Sequence, residues 1–158
     1  MICRLKWPND IYWGREVKLG GILCEGSVGG RGEVTLVVGL GINLNNEKPT
    51  VCLNHKLSEE GVGRVEWEQL LAVTLSKLEQ LLLSCEREGS VEGVRAAYLK
   101  HWLHSGEEVR LGEGGELVRL TGVDTFGFLK AEDREGREVV LRDDGNTFDM
   151  MRGLIKPK

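Results

Sequence analysis

The sequence predicts an α/β region followed by a small all-β barrel, and three observations support this fold class. Short β-branched and aromatic runs separated by Gly and Asn turns fill residues 2–38. Two segments with apolar residues at spacings of three and four follow over residues 66–104. From about Gly106 the chain returns to short alternating runs divided by Gly-containing turns, which is typical of a small barrel. We therefore expect a domain boundary between residues 105 and 106.

Four strands are expected in the first region. They cover residues 2–6, 11–13, 18–25 and 33–38. The first must end at Pro8, because proline cannot donate a hydrogen bond to a ladder. Gly26 to Gly32 is expected to be the turn of a hairpin. Residues 47–64 are polar and interrupted by Pro49, and are expected to be a loop.

Two helices are expected over residues 66–88 and 91–104. The apolar stripe of the first helix, from Trp67 to Cys85, is interpreted as core packing, and Gly89 follows its last turn as a stop signal. The barrel strands are then expected at residues 108–111, 117–124, 126–132, 138–142 and 148–155. One of their turns is expected at residues 144–145.

Composition and charge exclude several classes of function. The chain carries 41% hydrophobic and 29% charged residues, which is ordinary for a globular protein. Its net charge of −4 argues against a nucleic-acid partner. No apolar run approaches the ~18 residues of a membrane span, so no membrane partner is expected. We expect a cytoplasmic location. The four cysteines form no metal-binding pattern and are expected to be reduced, with Cys24 and Cys85 in the core.

Three short motifs carry the chemistry. Residues 6–10 read KWPND, residues 18–23 read KLGGIL and residues 39–43 read GLGIN. By turn chemistry alone the first is a strand end followed by a turn. The paired glycines of the second mark a bulge or a close approach of a ligand or of another backbone. The third lacks the third glycine and the following helix of a dinucleotide-binding loop, so a Rossmann site is excluded.

Taken in this order, the three motifs resemble those of the biotin–protein ligases (holocarboxylase synthetases). The resemblance extends over essentially the whole chain, and residues 144–151 further resemble the eukaryotic holocarboxylase synthetases. It implies part of a mixed sheet with helices, similar to class II aminoacyl-tRNA synthetases, followed by a barrel similar to Src-homology-3 domains. Residues 1–105 would then be the C-terminal part of the catalytic domain, and residues 106–158 the barrel.

The resemblance also implies an activity. Such ligases join biotin and ATP into biotinyl-AMP, with Mg²⁺ as cofactor, and then transfer biotin to a lysine of a biotin carboxyl carrier domain of a carboxylase. Both reacting groups of the first step are anions, so a fixed positive charge favours their approach. On this resemblance Lys6 is the catalytic lysine, in contact with the biotin carboxylate and the α-phosphate.

The other residues implied by the resemblance bind the adenylate. Gly20 and Gly21 would let the backbone approach biotin closely, the alternative being a simple bulge. Asn43 would read the adenine edge, because a primary amide offers both a donor and an acceptor. The secondary candidates are Trp7, Asn9, Asp10, Lys18 and Gly41.

Several of these secondary roles have ordinary structural alternatives. Trp7 is either core or pocket wall. Asn9 is expected to hold the turn, and Asp10 either does the same or places Mg²⁺ through an oxygen ligand. Lys18 faces either the phosphates or the solvent.

One feature of the family is missing from the 158 residues. They contain no Gly-Arg-Gly-Arg sequence of the kind that clamps the adenylate in biotin–protein ligases. We therefore expect an N-terminally truncated ligase that is inactive alone. The alternatives are a non-catalytic fragment with at most weak nucleotide binding, and a relative that transfers lipoate or octanoate.

Overall fold

The computed structural model describes residues 3–46, 51–112, 114–141, 147–149 and 153–156. The predicted α/β fold class is confirmed, since the described residues form two sheets and three helices. The elements are β1 (Cys3–Lys6), β2 (Asp10–Trp13), β3 (Val17–Val28), β4 (Val34–Ile42), α1 (Leu53–Glu59), α2 (Trp67–Glu88), α3 (Glu92–His101), β5 (Glu108–Leu111), β6 (Leu117–Val123), β7 (Leu129–Glu132), β8 (Glu138–Leu141), β9 (Thr147–Asp149) and β10 (Leu154–Lys156).

The chain divides into two compact units, Met1–Leu83 and Ser84–Lys158. The first holds the sheet β1-β2-β3-β4, in which every neighbouring pair is antiparallel. The second holds a six-stranded sheet of order β8-β7-β6-β5-β10-β9. The expected domain boundary at residues 105 and 106, and closure of the second sheet into a barrel, stay predictions.

The hairpin of β3 and β4 is longer than the sequence suggested. β3 continues through Gly26 to Val28, so the predicted turn begins only at Gly29, whose N–H donates to the Glu33 carbonyl over 2.8 Å. β4 likewise runs through the glycines of the GLGIN motif to Ile42. Cross-strand pairing explains both extensions, because each glycine inside the ladder is held by a partner on the facing strand.

The expected loop over residues 47–64 is wrong in part, since α1 lies within it. The first-turn donors of α1 are satisfied by the chain that follows β4: Leu53 N–H donates to the Asn43 carbonyl and Asn54 N–H to the Leu44 carbonyl. At its end, Gly61 adopts a positive φ of 69° and the Val62 N–H returns to the Leu57 carbonyl. Tertiary contacts of this kind leave no periodic signal in so short a helix.

The interpretation of the α2 stripe as core packing is also wrong for the part of the chain that the structure describes. No α2 residue is buried, and Leu71, Leu75 and Leu82 are each more than half exposed. The hairpin of β3 and β4 is similarly uncovered, and its exposed apolar side chains are Leu23, Val28, Val34, Leu36, Val37, Val38 and Leu40. The buried side chains of the first unit lie instead at Trp7, Tyr12, Leu19, Leu44, Cys52 and Leu57.

The second unit has an alternating core. α3 ends at His101, earlier than expected, and Trp102 behind it is buried. The buried strand residues are Val109, Val118, Leu120, Val123, Leu129 and Ala131. His104 lies among them and its Nδ1 pairs with the Glu107 carboxylate.

Three expected strands of this unit begin or end differently, and the end of a fourth, at residue 142, lies outside the described residues. β6 ends at Val123, before Asp124, and β7 begins only at Leu129, because Asp124 accepts the N–H groups of Phe126 and Phe128 and so forms a turn. β8 is described to Leu141. The single expected strand over residues 148–155 is two strands, β9 and β10, which pair antiparallel. The expected turn at residues 144–145 lies outside the described residues.

Two smaller expectations can be compared with the structure. All four cysteines are free thiols, and Cys24 is exposed rather than in the core, because it lies on the uncovered hairpin. Cys85 is half-buried. No helix among the described residues is both long enough and apolar enough to cross a membrane.

The close approach of β3 and β4 yields a stability prediction. A Cβ at position 20 would overlap the carbonyl oxygen of Gly41 and lie 3.1 Å from the Ile42 Cα, so Gly20→Ala must push the strands apart. We expect a loss of about 2–3 kcal/mol in the free energy of unfolding of the hairpin, measured by hydrogen exchange of its amides.

The matched control is Gly39→Ala. A Cβ there would lie 3.7 Å from the Leu23 carbonyl oxygen, an ordinary contact, and should change stability by about 0.5 kcal/mol at most. Equal hydrogen exchange in the two variants would show that Gly20 is not needed for strand spacing.

Candidate functional site

The register of the first sheet aligns four of the predicted site residues. Lys6 pairs with Asp10, Asp10 with Gly21, and Gly21 with Gly41. These residues therefore form one row across all four strands, which we call the site row. Directly paired residues present their side chains on the same face of a sheet. Lys6 and Asp10 consequently share a face, and the two glycines leave that face bare beside them.

A bulge brings Lys18 to the same face. The register shifts between Ile11 and Tyr12, which pair with Gly20 and Lys18, so Leu19 is the extra residue of β3. One extra residue inverts the alternation of side chains that follow it. Without the bulge Lys18 would share the face of Gly20; with it, Lys18 shares the face of Tyr12 and Asp10. The bulge that the paired glycines indicated thus has a consequence for the site.

Asp10 lies between the two lysines. Its Oδ1 is 2.6 Å from Lys18 Nζ, and its Oδ2 is 3.8 Å from Lys6 Nζ. The first is a hydrogen-bonded ion pair, whereas the second is too long for a hydrogen bond and leaves the Lys6 donors available. The side chains of Lys6 and Asp10 are 16% and 18% exposed, and that of Lys18 is 53% exposed. The inner pair is therefore shielded from water and the outer lysine is not.

An open cleft of about 660 Å³ lies beside Asp10. Its lining combines three motif glycines and the Asp10–Lys18 pair with apolar side chains; the lining residues are Asn9, Asp10, Lys18, Gly21, Ile22, Leu23, Gly39, Leu40 and Gly41. Lys6 is not one of them, since it lies on the other side of Asp10 in the site row. A cleft with an ion pair at one wall and apolar side chains at the other suits an amphipathic anion.

The paired glycines of β3, Gly20 and Gly21, are required for different structural reasons. Gly20 does not line the cleft. It is required because a Cβ at this position would overlap the carbonyl oxygen of Gly41. Gly21 lines the cleft, but a Cβ there would lie 3.1 Å from Asp10 Oδ1 and 3.3 Å from the Asn9 carbonyl oxygen. It therefore makes room for the aspartate of this chain. A Cβ at Gly41 would meet nothing within 4 Å, so of these three glycines Gly41 leaves open space for a ligand.

Asn9 and Trp7 have structural roles in the turn between β1 and β2. The Asn9 carbonyl accepts the Ile22 N–H over 2.8 Å, which ties this turn to β3. Trp7 is 7% exposed and absent from the cleft lining, so of its two expected roles the structure favours core. The Trp7–Pro8 peptide bond is cis.

Asn43 follows β4 and is not among the residues that line the described cleft. Its N–H donates to the Leu19 carbonyl over 2.7 Å, and its carbonyl accepts the Leu53 N–H over 2.7 Å. The backbone of this residue is thus held between the bulge of β3 and the start of α1. Its neighbour Asn45 accepts a hydrogen bond from Asn54 and so belongs to the loop.

Two properties of the cleft were not predicted from the sequence. Ile22, Leu23, Gly39 and Leu40 line it, although these residues of the motifs were not among the candidate site residues. Their position beside Gly21 and Gly41 in the two halves of one hairpin was the available signal. The mutual pairing of Asp10 with Lys18 was the second omission, because the paired glycines indicate a bulge without showing which residue of β3 is the extra one.

The electrostatics of the site extend to Tyr12. Burial raises the pKa of the Tyr12 hydroxyl, and the negative charge of Asp10 raises it further, while Lys18 lowers it. Tyr12 is therefore a neutral side chain at physiological pH. Its hydroxyl provides no charge to the cleft, which leaves Asp10, Lys6 and Lys18 as the charged groups of the site.

As a Mg²⁺ ligand Asp10 fits poorly, because each of its oxygens faces an ammonium group. Among the described residues, one group of carboxylates has oxygens close enough to share a cation, at Glu116, Asp133 and Glu135. Arg137 pairs with two of them, Asp133 and Glu135, over 2.5 Å each. No metal role is assigned to either place.

Comparison with known proteins supports the resemblance. Residues 1–43 match the family model described as the biotin/lipoate A/B protein ligase family. The chain is 35% identical over 162 residues to the biotin–protein ligase of Homo sapiens, covering 98% of this chain and 22% of that protein. It is 32% identical over 163 residues to biotin–protein ligase 2 of Arabidopsis thaliana, covering 98% of this chain and 49% of that protein.

Solved structures show the same similarity in three dimensions. An apo structure of the biotin protein ligase from Aquifex aeolicus matches with a TM-score of 0.70 and 27% identity, over 89% of this chain and 63% of that one. A structure of the same ligase in complex with biotin and ATP matches with a TM-score of 0.62 and 28% identity, over 89% of this chain and 60% of that one.

The chain spans at most about half the length of these two curated relatives, 22% of one and 49% of the other. The site row, the Asp10–Lys18 pair and all of the residues that line the cleft nevertheless lie within the matched residues 1–43. Residues 1–43 are thus similar to the biotin/lipoate A/B protein ligase family, and over nearly its whole length the chain is similar to the biotin–protein ligases.

Proposed function

We propose that this chain provides the lysine-bearing half of the active site of a biotin–protein ligase, an enzyme that activates biotin with ATP and attaches it to protein. The observation that carries the proposal is the site row, which places a shielded lysine, an ion pair and a glycine-lined cleft within the residues that match the family. The relatives named biotin–protein ligase and the related structure with biotin and ATP support these substrates.

In the first step, a biotin carboxylate oxygen attacks the α-phosphorus of ATP. The new P–O bond gives biotinyl-AMP, and the bond to the β-phosphate breaks to release pyrophosphate. Two anions must approach closely, so the barrier is largely electrostatic. Lys6 stands at the end of β1 with its ammonium shielded from water, which strengthens its attraction for developing negative charge.

In the second step, the ε-amine of a carrier-domain lysine attacks the biotinyl carbonyl and AMP leaves. The proposed protein substrate is a biotin carboxyl carrier domain of a biotin-dependent carboxylase. Lys6 again faces the phosphate, which is now part of the leaving group AMP. Gly41 leaves space beside the row for the ligand, and Asn43 is proposed to contact adenine beyond the end of β4.

Alone, the 158 residues are proposed to hold the anion without completing transfer. The absence of a Gly-Arg-Gly-Arg sequence from these residues supports this, because bidentate arginine contacts are strong and directional for phosphate. The exposed apolar side chains of the hairpin and of α2 support this proposal as well. Both surfaces are uncovered in these residues, and the relatives have additional chain. The non-catalytic fragment is therefore the second candidate.

A third candidate is transfer of lipoate or octanoate, because the matched family model includes lipoate ligases. The candidates differ in the acid that is bound: biotin carries a ureido ring, lipoate a dithiolane ring, and octanoate has no ring. Competition between free biotin and free lipoate for adenylation distinguishes them: the proposal requires biotin to be the preferred acid.

The activity can be tested in a chimera in which these residues replace the matched half of biotin–protein ligase 2 of Arabidopsis thaliana. The chimera should biotinylate a carrier domain in the presence of ATP and Mg²⁺, and Lys6→Ala should lower pyrophosphate release by about 10²–10³-fold, because it removes a preorganised donor. Labelled avidin and a pyrophosphate assay measure the two steps.

Lys77→Ala is the matched control, since Lys77 is an exposed lysine of α2 that pairs with Gln80 and does not line the cleft. It should retain the parent rate. The 158-residue protein without its added half should give no carrier signal in the same assay. A Lys6→Ala chimera within a few-fold of the parent would remove Lys6 from the catalytic role.

Asn43→Leu in the same chimera should weaken ATP binding and leave biotin binding nearly unchanged, because leucine cannot hydrogen-bond to the adenine edge. The expected cost is about 1–3 kcal/mol, measured by titration calorimetry with each ligand separately. Asn45→Ala, which removes only the loop hydrogen bond with Asn54, should leave both affinities unchanged. A loss of affinity confined to biotin would place Asn43 outside the nucleotide site.

A further inference from the structure

We propose that Asp10 is a built-in counter-ion that positions Lys6 and Lys18. A phosphoanhydride ligand must then compete with Asp10 for Lys18. The proposal rests on the proposed function for the identity of the natural ligand. Its geometric basis is independent, and consists of one carboxylate with a different lysine at each oxygen, at the wall of the cleft.

The position of Asp10 is fixed by the backbone rather than by the lysines. Asp10 begins β2 in register with both Lys6 and Gly21. The Asn9 carbonyl before it is held by the Ile22 N–H, and the missing Cβ of Gly21 leaves room for Oδ1. A carboxylate held in this way can orient two flexible lysine side chains, which otherwise lose considerable rotamer entropy on ordering.

Charge accounting shows what the carboxylate does to a ligand. Two ammonium groups and one carboxylate leave the free site with a net charge of about +1, and a phosphate arriving at Lys18 has to displace Oδ1 from a 2.6 Å pair. Neutralising Asp10 would leave both lysines for the ligand. Asp10 therefore weakens binding of the anion before reaction, while holding Lys6 in place for the reaction itself.

The direction of this effect separates the proposal from two other roles. A Mg²⁺ ligand at Asp10 would strengthen binding of a metal–phosphate complex, so its neutralisation would weaken binding only when Mg²⁺ is present. A residue that merely shapes the turn would, when changed, weaken binding of any ligand or unfold the sheet. Of these three roles, the counter-ion alone predicts tighter anion binding when the charge of Asp10 is removed.

The test uses the 158-residue protein with inorganic pyrophosphate as the probe, in metal-free buffer at low salt. Asp10→Asn keeps the shape of the side chain and should bind pyrophosphate about fivefold more tightly than the parent, as expected for one charge interaction at partial exposure. The gain should shrink as salt is raised, because mobile ions screen the exposed Lys18. Asp10→Glu retains the charge and should retain the parent affinity.

Lys18→Gln is the second variant, and because its side chain is half-exposed we expect no folding defect from this change. It should bind pyrophosphate about fivefold more weakly than the parent. In the double variant the gain from Asp10→Asn should be smaller than in the parent, because part of that gain is the release of Lys18. Glu59→Gln is the control, since Glu59 pairs with Lys56 outside the cleft.

The outcomes distinguish the proposal from the function on which it rests. Unchanged or weaker pyrophosphate binding by Asp10→Asn, or an unchanged affinity in Lys18→Gln, would overturn the counter-ion role. A loss of affinity in Asp10→Asn that occurs only with Mg²⁺ would make Asp10 a metal ligand instead. If pyrophosphate behaves as expected but the chimera does not adenylate biotin, the counter-ion stands and the proposed function is wrong.

Discussion

The cross-strand register of the first sheet is the constraint on which the candidate site depends. Lys6, Asp10, Gly21 and Gly41 lie on four different strands and share one row only because β1 to β4 pair in this register. A slip of one residue in any pair would turn a side chain of the row to the opposite face. The ladder therefore determines the candidate site as well as the fold.

The Leu19 bulge and Gly20 together maintain that register. The bulge turns Lys18 to the face of Asp10 and buries Leu19, which is 2% exposed. Gly20 lets the backbone of β4 approach where any Cβ would collide with Gly41. A motif that first suggested direct contact with a ligand thus acts mainly through strand spacing, and Gly21 acts by accommodating the aspartate of the same chain.

The strands of the first unit and the two longer helices could be predicted from the sequence, because their periodicity is local. The pairing of Asp10 with Lys18 could not, since it depends on one extra residue in β3. Helix α1 was not predicted for a similar reason. The carbonyls of Asn43 and Leu44 accept its first backbone N–H groups, and no side chain caps its N-terminus. The exposure of α2 was missed because an apolar stripe shows that a surface can be buried without showing what covers it.

The central proposal is that biotinyl-AMP binds across the site row and the cleft beside it. Lysine acetylation measured by mass spectrometry on the chimera, with and without a non-hydrolysable biotinyl-AMP analogue, tests this most directly. The account predicts protection of Lys6 and Lys18 by the analogue and unchanged labelling of Lys56 and Lys77, which belong neither to the site row nor to the cleft. Equal labelling of Lys6 and Lys18 with and without saturating analogue would contradict it.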